Sequence, residues 1–542
     1  MKSADAPIEP KVSFKTISYQ QCRAALVQRQ ELVLLDAREE APFSEAHPLF
    51  AANLPLSRLE VDAARRIPRR DTLIVAYDDG EGLALKAAQR LAALGYRQLA
   101  LLEGGLAGWR DAGGEIFSDV NSPSKAFGEL VESRRHTPSL SAPEVKALLD
   151  ARADVVVLDV RRFDEYNTMS IPQGISVPGA ELVLRARELA PRPETRIIVN
   201  CAGRTRSIIG AQSLVNAGIP NPVSALRNGT IGWVLAGQTL DTGRIRKFSD
   251  VGSVGQAHLA QAQKAARAVA DLARVGRTDR DTVNAWHSDT TRTSYLFDVR
   301  TPEEYAAGHL PHFRSAPGGQ LVQETDHAAP VRGARIALAD DDGVRANMTA
   351  SWLAQMGWEV YVLDGLQASH FDQSGDVESP IPLEAAIAAA AISAAQCAAW
   401  LAAGDTVVLD VGASANYVKR HIPGAWFALR SQLAEALAKV PSATRYIVTC
   451  ETGLLAPHAI ADLREITRAE VYFIEGGNAA WVASGLELES GATALASPRI
   501  DRYRRPYEGT DNRQAAMQAY LDWEYGLVAQ LARDDTHGFY VI

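Results

Sequence analysis

At 542 residues the chain is long enough for three to four domains of roughly 150 residues each. Hydrophobic content of 47% with 22% charged residues is a globular composition, which excludes a disordered, collagenous or membrane-spanning chain. Lys and Arg number 56 against 65 Asp and Glu, so the net charge is −9; no overall basic field exists to hold nucleic acid or an anionic membrane, and any anion site must be local.

The first residues, MKSADAPIEPKVSFKT, lack the apolar core of a secretory signal, and no stretch approaches the ~18 apolar residues that cross a bilayer. A cytoplasmic protein is expected. The four cysteines, Cys22, Cys201, Cys397 and Cys450, show no CxxC or Cys/His clustering, which argues against a disulfide framework or a zinc site.

Taken in chain order, a strand-like phrase ending in Asp recurs four times, with Asp36, Asp159, Asp298 and Asp410 as its anchors. A second apolar strand follows each, reaching Asp78, Cys201, Asp340 and Cys450 at offsets of 42, 42, 42 and 40 residues. A third phrase begins 23 to 25 residues later: LEGGLAGW, LRNGTIGW, LDGLQASH and IEGGNAAW. Trp109, Trp233 and Trp481 thus mark three copies and His370 the third. A helical pattern lies between the second and third phrases; after Cys201, Ile208, Ile209, Leu214 and Val215 suit a buried stripe and Gly218 a C-cap.

This alternation predicts an α/β fold of four tandem domains, each a small parallel sheet flanked by helices on both faces, with ligands at the carboxyl ends of the strands. The domains are placed at 11–120, 135–245, 281–378 and 385–495, with a helical linker at 246–280 and a C-terminal helical tail at 498–542. Phe248 to Leu272 and Tyr507 to Leu531 span 24 residues each, as expected for a duplicated unit of two domains and a helix. The helical segments near 255–275 and 511–533 read as structural struts.

The chemistry is expected after the second strand of the second copy, where RIIVN runs into Cys201, Ala202, Gly203, Arg204, Thr205, Arg206 and Ser207 just before a helix. A short loop at a helix N-terminus aims several backbone N–H groups at one point and adds positive potential. With Arg204 and Arg206 beside it, Cys201 is expected to ionise easily and to bind an anionic substrate.

These phrases, LLDxR, then Cys-x-x-x-x-Arg-Ser before a helix, then LxGGxxxW, resemble the rhodanese family of sulfurtransferases, and the resemblance runs through nearly the whole chain in four copies. It implies a loop cysteine that takes a sulfane sulfur as a persulfide, with no cofactor or metal. It also implies that a domain with Asp in the cysteine slot is inactive, as Asp78 and Asp340 would make the first and third copies. The implied reaction is attack of the Cys201 thiolate on thiosulfate or a related donor, departure of sulfite, and transfer to cyanide or a thiol. Ala202 to Ser207 would form the cradle, with Arg204, Arg206 and Arg185 holding the donor. Arg185 enters because VPGAELVLR in copy two aligns with APGGQLVQE in copy three, exchanging Arg185 for Glu324 along with Cys201 for Asp340.

Copy four keeps Cys450 but puts Glu451 beside it and Leu455 at the arginine position, so it reads either as a second nucleophile or as a degenerate loop that retains a cysteine. In copy three, Asp340, Asp341 and Asp342 read as solvated acids rather than a cation site. Cys22 and Cys397 read as framework positions, and Asp159 with Arg161 as a structural ion pair. A mercaptopyruvate-type enzyme and a relay scaffold loaded by a partner protein are the alternative functions. Cysteine phosphatases are disfavoured because only four residues, Ala202 to Thr205, separate Cys201 from Arg206.

Overall fold

The computed structural model describes residues 13–249, 254–375, 383–506 and 513–542. The parts of the expected domains, linker and tail at 11–12, 250–253, 376–378 and 507–512, Tyr507 among them, lie outside the described residues. Four five-stranded sheets are present, all parallel and all with one topology: in each, the first strand lies at one edge, followed across the sheet by the fifth, fourth, second and third. In the second domain the order across the sheet is Ser139–Leu140, Val223–Leu226, Arg196–Asn200, Val155–Asp159 and Ile175–Ser176. The central strands are apolar on both faces because helices cover both, which is why their sequences do not alternate.

The recurring aspartates end the second strand of each sheet, in register with the last residue of the fourth; Asp159 pairs with Asn200. Asp159 also receives Arg161 at 2.7 Å, as Asp36 receives Arg38 at 2.6 Å and Asp298 receives Arg300 at 2.7 Å. Each guanidinium reaches a carbonyl eight residues further on, so the pair staples the strand end to the next turn in domains with and without a cysteine. In the fourth domain Gly412 stands where that arginine would be, and Asn478 donates to Asp410 instead, at 3.0 Å.

The tryptophans of the third phrase are buried, and each indole donates to a carbonyl six residues on: Trp109 to Glu115, Trp233 to Thr239 and Trp481 to Glu487. The glycine that opens the helix bearing each tryptophan is required by packing. At Gly105, Gly229 and Gly477 φ is positive, and a Cβ would collide with the carbonyl of Asp78, Cys201 or Cys450. This helix therefore presses onto the loop that bears the chemistry.

The helix Thr205–Asn216 ends as expected, with Gly218 at φ +64°. Its buried face differs from the expected stripe: Ile208 and Leu214 are buried, Ile209 is half-buried and Val215 is exposed. The helix is covered on more sides than its own sheet provides. Gln212 meets Thr137 and Ser213 accepts from Trp352 of the third domain, which leaves Val215 the outward side.

The domains pack into one another rather than lying as beads. A continuous apolar cluster joins Val33 and Ile74 of the first domain, Phe127 and Ile208, and Tyr295 and Leu338 of the third. Arg430 of the fourth domain pairs with Glu60 of the first, and Arg345 of the third with Glu181 of the second. The helix Gln256–Leu272 packs on Leu182–Leu189 and Arg345–Gln355, and Arg513–Asp534 packs on Ser122–Arg135. No helix among the described residues is long and apolar enough to cross a membrane.

Candidate active site

Cys201 is the first residue beyond the strand Arg196–Asn200, and Thr205 begins the helix four positions later, so the loop curls tightly beneath the helix N-terminus. The thiol is only 2% exposed and donates to Ser207 Oγ at 3.3 Å; Ser207 in turn donates to the Arg204 carbonyl at 2.9 Å. The loop's outward carbonyls are taken by the opposing helix, with Thr230 N–H on Cys201 O and Ile231 N–H on Ala202 O, both at 2.9 Å. A cavity of about 100 Å³ opens over the loop, lined by Cys201 to Arg206.

Arg206 makes a two-pronged contact with Glu165 at 2.8 and 2.9 Å, and Arg505 reaches the same carboxylate at 3.1 Å. Burial alone would lift the Glu165 carboxyl, but Arg206 and Arg505 outweigh it and hold it well below the usual carboxylate range. One carboxylate between two guanidinia leaves this wall of the cavity cationic. Thr205 also faces the cavity, with its hydroxyl buried and unpartnered.

Three expectations change. Arg204 lines the cavity, but its fork is bound to Glu129 at 2.7 and 2.8 Å, to Glu132, to Asn228 and to the Tyr525 hydroxyl. It anchors the loop to two neighbouring helices and has little left for a donor anion. Arg185 is fully buried outside the cavity, 3.3 Å from Glu181 and with its guanidinium 4.9 Å from the centre of the Phe248 ring. Its helix turns that face toward the linker; Glu324, its counterpart in the third domain, is the one that lines the Cys201 cavity. The thiol itself is not pre-ionised: burial pushes its pKa up, against the opposing effects of Arg206 and Ser207. Counting neighbouring charges in the sequence omits this desolvation.

The other loops show what the cradle does when an aspartate heads it. Asp78 accepts from the N–H groups of Gly80 at 3.0 Å and Ala84 at 2.8 Å; Asp340 accepts from Gly343 at 3.0 Å and Ala346 at 2.8 Å. A built-in carboxylate occupies the amides that would meet an external anion. Asp341 and Asp342 are turned to Arg345, which also grips Glu304 as Arg206 grips Glu165. Cys450 is likewise 2% exposed and accepts from Leu455 N–H at 3.3 Å. Burial pushes it up too, and the arginine–glutamate pair is replaced by Asn416 donating to Glu451 at 2.6 Å. Cys22 and Cys397 lie buried on the first helices of their domains, where burial pushes both thiols up to about 12.

The sequence gives no sign of the rest of the cavity wall. Val120, Asn121 and Lys125 come from the connection between the first two domains, and Gln320, Gln323 and Glu324 from the third. Tyr503, Arg505, Pro506, Tyr520 and Glu524 come from the C-terminal segment. The helix Arg513–Asp534 is therefore more than a strut: a Cβ on Gly203 would lie 3.1 Å from the Tyr520 ring.

Comparison with known proteins agrees with this geometry. The rhodanese-like domain family matches residues 19–112, 141–236, 280–365 and 393–484, and the chain belongs to that family. It is similar to the crystal structure of thiosulfate sulfurtransferase from Pseudomonas aeruginosa, with 63% identity, 98% of this chain and 100% of that chain covered, and a TM-score of 0.94. An uncharacterized protein of Synechocystis sp. is 32% identical over 98 residues, which is 18% of this chain; the match spans about half, 54%, of that relative's length.

Proposed function

We propose that the chain is a thiosulfate sulfurtransferase that carries sulfane sulfur as a Cys201 persulfide. Rhodanese-like domains and a neighbour that is 63% identical support sulfurtransferase activity as the class. The observation that carries the finer reading is the contrast between loops: where Asp78 and Asp340 fill their own cradles, Cys201 leaves its cradle facing a cavity with a cationic wall. In this reading Arg206, beside Arg505, draws in the dianionic donor and Cys201 gives up its proton as the anion arrives. The thiolate attacks the outer sulfur, the S–S bond of thiosulfate breaks, and sulfite leaves with the bonding pair. The loop amides and the helix N-terminus stabilise the persulfide anion until an acceptor takes the sulfur. Domains one and three are catalytically silent packing partners, and Cys450 is a retained cysteine without the cationic wall. The protein works in the cytoplasm, in keeping with four unpaired cysteines.

Cyanolysis of thiosulfate by three proteins tests this. Cys201→Ser is expected to lose at least about 10³-fold in turnover, since it removes the nucleophile, and Cys450→Ser to retain parental activity. Parental activity in the first variant and loss in the second would move the site to the fourth domain.

A further inference from the structure

One wall of the Cys201 cavity holds a carboxyl that the attack on thiosulfate does not use. Glu524 is fully buried, its Oε1 accepts from the Tyr520 hydroxyl at 3.0 Å, and its Oε2 has no hydrogen-bond partner. That oxygen points at the loop: a Cβ on Gly203 would lie 3.3 Å from it, and Cys201, Gly203 and Glu524 line one cavity. A buried acceptor left unpaired costs stability, so its retention calls for a reason outside folding. Aligning the two long helices on Phe248 and Tyr507 places Ala265 opposite Glu524, so the carboxyl is present only in the copy that covers the cysteine.

The groups around Glu524 are Lys125 and Glu129 from the helix Ser122–Arg135, Arg204 and Cys201 from the loop, and Tyr520 from its own helix; Asp119 and Tyr503 lie next to Tyr520. Burial, helped by Glu129, outweighs Lys125, Tyr520 and Arg204 and pushes the carboxyl up to about 8, where it can exchange a proton near neutral pH. Next to this cavity is a second one of about 450 Å³ that shares Val120, Asn121, Glu324, Tyr503 and Arg505 as walls. Its lining carries both signs of charge, with Arg58 and Arg66 opposed by Asp62 and Asp326. This offers far more room than cyanide needs and suits a small thiol bearing ammonium and carboxylate groups.

We propose that Glu524 is the general base for a thiol acceptor, taking its proton as it attacks the Cys201 persulfide. The step rests on the sulfurtransferase reading above. The thiol's S–H proton passes to Glu524 Oε2, and the thiol sulfur bonds to the outer sulfur of the persulfide. The bond between the two persulfide sulfurs breaks, and its electron pair stays on Cys201 as thiolate. The products are an acceptor persulfide anion, the Cys201 thiolate and a protonated Glu524, so charge and atoms balance. Cyanide ion brings no proton and needs no base.

The test uses the full chain loaded with thiosulfate, its Cys201 persulfide verified by mass, then discharged by glutathione or by cyanide. Glu524→Gln is expected to slow discharge by glutathione about 100-fold while cyanide discharge stays within about 2-fold. Equal rates of glutathione discharge in parent and variant would overturn the proposal. The unmodified protein gives an independent reading if the variant does not fold. With glutathione and the less acidic 2-mercaptoethanol, both still protonated where Glu524 titrates, the rising limb of the pH profile is expected at the same pH, set by Glu524. Limbs displaced by the difference between the two thiols' own pKa values would overturn it. A parental chain that takes no sulfur on Cys201 would instead overturn the sulfurtransferase reading on which this step rests.

Discussion

Cys201 and Cys450 hold the same place in two copies of one domain: each directly follows a central strand, each is 2% exposed, and each lies under a helix opened by a positive-φ glycine. Around Cys201, Arg206 and Arg505 share Glu165, and the inter-domain connection, the third domain and the C-terminal segment wall a cavity over the thiol. Around Cys450, Leu455 stands in the place of Arg206 and Asn416 in that of Glu165, Glu451 replaces Ala202, and the charged neighbours are acidic. The fold alone therefore supplies the cradle of amides. What distinguishes the two loops is one ion pair and the surfaces brought from elsewhere. The third domain sharpens the point, because it keeps the equivalent pair, Arg345 with Glu304, yet fills its cradle with Asp340.

After loss of the nucleophile itself, the largest expected effect comes from making the second loop resemble the fourth. Arg206→Leu should lower kcat/KM for thiosulfate about 100-fold, mainly through KM, and move alkylation of Cys201 to higher pH. It should also cost stability at pH 7, by less than the ~3–5 kcal/mol of a buried charge left wholly unpaired, because Arg505 still meets Glu165, read from the urea midpoint. The sign of the pH dependence follows from Glu165, whose folded pKa is depressed. Its contribution in the parent is complete above the unfolded value near ~4.3 and is lost as pH falls toward the folded one. The gap between parent and variant should therefore hold from pH 7 to about pH 5 and narrow on further acidification toward pH 3. A variant with parental KM would mean that the amides alone select the donor.

The smallest effect is expected at Arg185, which the alignment of copies two and three offered as a substrate ligand. Since it lies buried outside the cavity against Phe248, Arg185→Met should change kcat/KM by less than about 3-fold, with any loss appearing in the unfolding midpoint. A rise in KM of tenfold or more would restore its place at the substrate.

These two arginines show which parts of the molecule can be seen in a sequence. The four sheets were legible because the aspartate-ended strand recurs in all four copies and the buried tryptophan and its glycine do the same job in three of them, and repetition exposes it. The Cys201 loop was legible because its residues are consecutive. Glu129, Tyr503 and Glu524 were not, since they reach the loop from 72 to 323 positions away in sequence, through packing that leaves no periodic mark. Nor could charge counting show that Glu129 and Glu132 engage Arg204, or that burial raises the thiol's pKa.

The central claim is that only one of the two loop cysteines carries sulfur, and intact mass after exposure to thiosulfate tests it directly. A gain of about 32 Da, one sulfur atom, is expected, located by peptide mapping on Cys201 and absent from Cys450. The same gain on Cys450, or none on Cys201, would contradict the account.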